Sequence, residues 1–67
     1  MWYLYICDRN GQLYTGITTD LNHRMVLHKA KLLYHESFDN KFDAAKRERE
    51  IKGWSRKKKE ELIKSRR

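Results

Sequence analysis

Asn10-Gly11 lies between two runs of strand-forming residues, WYLYICDR and QLYTGIT. Both residues tolerate the positive φ of a type I′ turn, so the pair predicts a two-residue hairpin loop. A loop of that length fixes the pairing of the flanking strands, about 2–7 and 12–17. Arg9 faces Gln12, Cys7 faces Tyr14, Tyr5 faces Gly16 and Tyr3 faces Thr18. Because side chains alternate, one face carries Leu4, Ile6, Leu13, Thr15 and Ile17, and the other Tyr3, Tyr5, Cys7, Tyr14 and Gly16. The first is a core face. On the second, Tyr5 and Tyr14 are diagonal neighbours. Gly16 leaves a gap beside the Tyr5 ring, open to a second aromatic, a backbone or a ligand. Tyrosines also suit a half-buried sheet face, and a glycine can mark a strand end; register alone does not choose between these readings.

After the hairpin the period changes. In TTDLNHRMVLHK, Thr19 or Asp20 can cap, and Leu21, Met25, Val26 and His28 recur at helical spacing, which predicts a helix over roughly 20–30. LLYHESF (32–38) returns to strand chemistry. DNKFDAAKREREIKGW reads as a second helix, with Asp39 or Asn40 as cap and Gly53 as stop. Ser55 can cap a last basic helix, RKKKEELIKSRR, whose Leu62 and Ile63 need covering. The order is β-β-α-β-α-α, an α+β fold built on a small three-stranded antiparallel sheet flanked by helices. Without proline, low-complexity linker or repeat, the 67 residues read as a single domain, 1–67, with a thin core.

Sixteen Lys and Arg against nine Asp and Glu give a net charge of +7 and a pI near 9.8. That balance favours a polyanionic partner, nucleic acid before anionic membrane. No apolar run approaches the roughly 20 residues of a membrane span. Trp2 to Cys7 is too short for a signal peptide and lacks a basic leader, so the expected location is cytoplasmic. Cys7, the single cysteine, forms no intrachain disulfide and reads as a small packing residue rather than a nucleophile.

Two further placements stand out. Arg24 and His28, four apart, stack on one helix face, where they suit either a grip on phosphate with a proton carrier beside it or the edge of a core stripe. At about 100° per residue, Ala44, Ala45 and Ile51 share one face of the second helix. Glu48 falls in the middle of that arc. A carboxylate there needs a partner, either a salt bridge to Arg24 or a lysine, or a bound cation.

Tyr3-Leu4-Tyr5, then Tyr14-Thr15-Gly16, then Arg24, His28 and Glu48, in this order and spacing, resemble the GIY-YIG nuclease superfamily, particularly its small single-domain bacterial members. YLY stands where the family has Gly-Ile-Tyr, YTG where it has Tyr-Ile-Gly, and AAKREREIK is similar to its second-helix motif. The resemblance runs from Trp2 to about Ile63. It implies a β-β-α-β-α core and divalent-metal-dependent endonuclease activity on nucleic acid, expected to be DNA, with Mg²⁺ or Mn²⁺ as cofactor. In those terms Tyr14 activates the attacking water and Tyr5 orients or assists it. Arg24 holds the scissile phosphate, His28 tunes Tyr14 or passes protons, and Glu48 ligates the metal. A tyrosine phenol, with a pKa of about 10, needs positive charge nearby to act as a base; Arg24, His28 and the metal would supply it. The alternative on the same fold is a non-catalytic nucleic-acid-binding module.

The chain departs from the family pattern in three places. Tyr3 replaces a glycine. Only Lys29, Ala30 and Lys31 separate His28 from the next strand, where related small domains carry a longer loop rich in glycine and basic residues. This predicts a first helix that ends early or a displaced third strand. No late polar residue after Glu48 matches the one that some family members add. The basic residues Arg56 to Lys59 and Lys64 to Arg67 read as a solvated helix face able to meet phosphates, and Trp2 and Trp54 as core anchors.

Overall fold

The computed structural model describes residues 1–65. Strands β1 (Trp2–Arg9) and β2 (Gln12–Thr18) precede helix α1 (Leu21–His28), strand β3 (Lys31–Phe38) and helices α2 (Lys41–Lys52) and α3 (Arg56–Ser65). The three strands form one antiparallel sheet in the order β2-β1-β3. The expected α+β architecture is the one observed, and Arg66 and Arg67 of the basic tail lie outside the described residues.

The Asn-Gly turn sets the hairpin as expected. Asn10 and Gly11 have φ of 54° and 81°, and Asp8 Oδ1 accepts from the Gly11 N–H at 3.0 Å. The resulting register pairs Arg9 with Gln12, Cys7 with Tyr14, Tyr5 with Gly16 and Tyr3 with Thr18. Central β1 is buried from Leu4 through Cys7 without alternation. Leu4 and Ile6 join Tyr34 and Ile51 of α2 in the core, with Leu13, Ile17, Phe38, Trp54, Leu62 and Ile63 packed around them. The opposite face of β1, carrying Tyr5 and Cys7, is also buried. Thr15 sits on the core face with its hydroxyl buried and unpartnered.

Asp20 caps α1 by accepting from the His23 N–H at 3.0 Å. The helix ends early. Lys29 turns into the left-handed region (φ 50°), and the N–H groups of Lys29 and Ala30 return to the carbonyls of Val26 and Met25, the Schellman closure that glycine usually makes. Two residues therefore connect α1 to β3. The strand is not displaced, but its register against β1 shifts between Ile6 and Cys7. Val26 does not join the inward stripe: it is 78% exposed, as the half-buried positions are Leu21, Arg24, Met25 and His28. Spacings of three and four select that set, and Val26 lies one position past it.

Asn40 caps α2 through the Asp43 N–H, and Gly53 ends it in ordinary right-handed conformation. Ser55 Oγ accepts from the Lys58 N–H at the start of α3. An ion network unforeseen in the sequence ties α2 to the sheet. Arg47 Nε and Nη2 donate to the two oxygens of Glu36 at 3.0 and 3.1 Å, and Nη1 donates to Glu50 at 2.7 Å. Tyr34 donates its hydroxyl to the same Glu36 carboxylate. Trp54 packs on the core and lies beneath the cations of Arg47 and Lys58. Trp2, by contrast, is outside the core cluster, half-buried under Lys41. No helix among the described residues is long and apolar enough to cross a membrane.

Candidate active site

The register places Tyr5 and Tyr14 on one face, and α1 brings His28 over them. Tyr5, Cys7, Arg9, Tyr14 and His28 together line a cavity of about 210 Å³. Tyr5 forms its inner part, 9% exposed, whereas Tyr14 is 46% exposed and open to water. The Tyr14 hydroxyl donates to Gln12 Oε1 at 3.1 Å, which orients the phenol and leaves its oxygen able to accept. The gap expected at Gly16 is filled by Tyr5 itself. A Cβ built on Gly16 would stand 2.6 Å from the Tyr5 hydroxyl oxygen and 2.8 Å from Cζ. The glycine is there for the ring to lie across it.

Arg24 and Glu48 do not line this cavity. Arg24 Nη1 meets His28 Nε2 at 3.4 Å. A guanidinium only donates, so Nε2 is the acceptor in this contact and a ring proton belongs on Nδ1. Arg24 thus holds the imidazole that faces the tyrosines. Glu48, its side chain 20% exposed, pairs with Lys52 at 3.2 Å along α2. This is the lysine salt bridge, rather than one to Arg24. Burial pushes the Tyr5 phenol above its ordinary value; Arg24 pulls it down, while Cys7 and Glu48 push it further up. The charges of Arg24 and Glu48 therefore both reach Tyr5. Of the five expected site residues, Tyr5, Tyr14 and His28 share the cavity wall, Arg24 contacts His28 from beside it, and Glu48 stands on α2 paired with Lys52. Burial, then Asp8, raises the Cys7 thiol as well, which fits packing rather than nucleophilic attack.

Arg9 was not anticipated. The alternation that groups Tyr3, Tyr5 and Cys7 continues to it, so the strand period carried the signal.

For a metal, the donor set is small. Among the described residues no group of three or more His, Cys, Asp and Glu side chains forms a cluster. Glu48 is a single, partly solvated carboxylate that already attracts a cation, the Lys52 ammonium. That fits Mg²⁺, which uses one or two carboxylates and keeps water or phosphate oxygens elsewhere. It does not fit a metal that needs several protein ligands.

No family model matches the chain. A UPF0213 protein from Staphylococcus saprophyticus is 40% identical to it over 75 residues, covering 91% of this chain and 92% of that protein. The chain belongs to the UPF0213 family. A Staphylococcus aureus UPF0213 protein is 38% identical over 77 residues, covering 96% of this chain and 93% of that one. The solution NMR structure of a UPF0213 protein from Bacillus halodurans matches with a TM-score of 0.68 at 33% identity, over 96% of this chain and 84% of that one. Alignments of 75 and 77 positions exceed the 67 residues of this UPF0213 chain, so the staphylococcal relatives carry residues that it lacks.

Proposed function

We propose that this UPF0213 chain is a divalent-metal-dependent endonuclease that hydrolyses phosphodiester bonds in DNA, on the GIY-YIG plan. The observation that carries the reading is the division between its two phenols. Tyr5 is buried with its pKa raised, so it keeps its proton and serves as a donor that orients water or phosphate. Tyr14 is exposed at the same cavity, with its oxygen able to accept. It acts as the phenolate, its own proton having passed to the water at its exposed edge; the phenolate takes one proton from the attacking water and is left as the neutral phenol, while His28 on the same cavity wall tunes it. Arg24 offsets charge growing on the phosphate while fixing the His28 ring. Glu48, now paired with Lys52, would hold the metal. Bound Mg²⁺ supplies polarisation of the phosphate and stabilisation of the leaving oxygen. The net charge of +7 draws the polyanion in.

The test is cleavage by Tyr14→Phe, Arg24→Ala and Glu48→Ala proteins that retain the wild-type circular dichroism. Each is expected to lose activity by a factor of about 10² or more; cleavage that survives all three ends the reading. The two-residue α1–β3 connection and the Glu48–Lys52 pair favour a second reading, a binding module without catalysis. It predicts salt-sensitive DNA binding, unchanged by Glu48→Ala, from a protein that never cleaves.

A further inference from the structure

A second cavity, about 330 Å³, is lined by Tyr3, Thr19, Asp20, Leu21, Asn22 and His35, and neither the family resemblance nor the catalytic reading uses it. We propose that it is a subsite for an unpaired nucleobase, which makes the substrate a strand whose bases are unstacked beside the scissile phosphate. That a phosphate beside the cavity is cleaved rests on the nuclease reading; that the cavity takes a base rests on its own chemistry.

Its walls are wrong for phosphate and right for a base. Asp20 is part of its lining, and Asp20 Oδ1 already takes the His23 N–H of the first helical turn. An anion would meet a negative charge with that amide used. The cation Arg9 lines the other cavity instead, with the imidazole of His28. What this cavity offers is ring surface and hydrogen-bonding edge. Tyr3 and His35 pack edge to face, with centroids 6.2 Å apart at 69°. Asn22 carries a donor and an acceptor on one amide, and the Asp20 carboxylate accepts. Aromatic surface with a few convergent polar groups is how proteins hold a base taken out of its stack. A volume above about 300 Å³ is in the range of small-molecule sites.

Position links it to the reaction. Tyr3 and Tyr5 project from the same face of β1 two residues apart, about 7 Å along the strand. His35 is the cross-strand partner of Tyr5. A strand whose phosphate lies against Tyr5 and Tyr14 therefore reaches the Tyr3 cavity with its neighbouring nucleotide. A base paired within a duplex cannot enter it.

The experiment uses the whole chain in EDTA, so that cleavage plays no part. Backbone amide spectra are recorded during titration with deoxyadenosine 5′-monophosphate and, separately, with inorganic phosphate. The nucleotide should move the signals of Tyr3, Leu21, Asn22 and His35, and phosphate should leave them in place. A labelled single strand should then bind about tenfold tighter than its duplex, the factor that about 1.4 kcal/mol carries and that stacking one base can supply. Asn22→Ala and Tyr3→Leu should each erode that preference. Identical shifts from nucleotide and phosphate would overturn the proposal, as would variants that bind the single strand like wild type. A protein that shows the shifts yet never cleaves DNA would lose the nuclease reading and keep this one; the reverse result would do the opposite.

Discussion

Gly16→Ala is the perturbation whose consequence the structure fixes most closely. The new methyl would stand 2.6, 2.8 and 3.1 Å from Oη, Cζ and Cε2 of Tyr5. Gly16 does not hold a positive φ, so the cost is packing and not backbone strain. Tyr5 is a rigid ring, 9% exposed, and must shift to clear the methyl. Overpacking of this kind costs about 1–3 kcal/mol. In a domain this small each kcal/mol lowers Tm by about 4–8 °C. The control is Tyr5→Leu, which removes the ring. In that background Gly16→Ala should be neutral or slightly stabilising, because alanine has less backbone entropy to lose. The coupling between the two sites, read from thermal unfolding of all four proteins, should be about 1 kcal/mol or more. Equal Tm for Gly16→Ala and wild type would refute the reasoning, and so would the same loss in both backgrounds.

Thr15→Val replaces a buried, unpartnered hydroxyl with a methyl of the same shape, and should stabilise by about 1 kcal/mol in urea titration. Arg47→Met leaves Glu36 and Glu50 without their shared cation at a site where the Arg47 and Glu36 side chains are 25% and 21% exposed. It should destabilise by about 1–3 kcal/mol, with Glu36→Gln restoring part of the loss in the double variant. Burial lifts the phenols of Tyr5 and Tyr34 above their ordinary value, and for Tyr34 the hydrogen bond to Glu36 adds to it. The folded protein then keeps those protons to higher pH than the unfolded chain. Their contribution is complete below about pH 10 and is lost as pH rises through the folded values. Urea midpoints should fall with rising alkalinity, less steeply in Tyr5→Phe; a flat profile would contradict the assignment.

The hairpin was legible because two adjacent residues, Asn10 and Gly11, dictate a loop length and hence every pairing around it. Caps at Asp20, Asn40 and Ser55 were legible for a similar reason, since each acts within its own first turn. What the chain hides is non-local. The Glu36–Arg47 pair joins positions on β3 and α2 that no spacing rule connects, whereas Arg47–Glu50 is an i,i+3 pair within α2. The register shift of β3 between Ile6 and Cys7 is likewise a matter of pairing between strands distant in sequence. The gap beside Tyr5 at Gly16 is taken up by the Tyr5 ring itself, since a register says which residues face each other and not where a ring falls. Among the site residues, Tyr5, Tyr14 and His28 share a cavity because strand and helix periods set their directions. Glu48 pairs with Lys52, four residues on along α2, which is the lysine partner that helical spacing offers; the contact with Arg24 would have needed two elements to meet. Arg9 was available to the same alternation argument as Tyr5, and Asn22 and His35 needed the assembled fold.

Metal-dependent DNA cleavage is read by incubating purified protein with supercoiled plasmid DNA in Mg²⁺, in Mn²⁺ and in EDTA, with Glu48→Ala alongside. Nicking is expected with either metal, with none in EDTA and none from the variant. Intact plasmid in every lane, or nicking indifferent to EDTA and to Glu48→Ala, would contradict the nuclease reading.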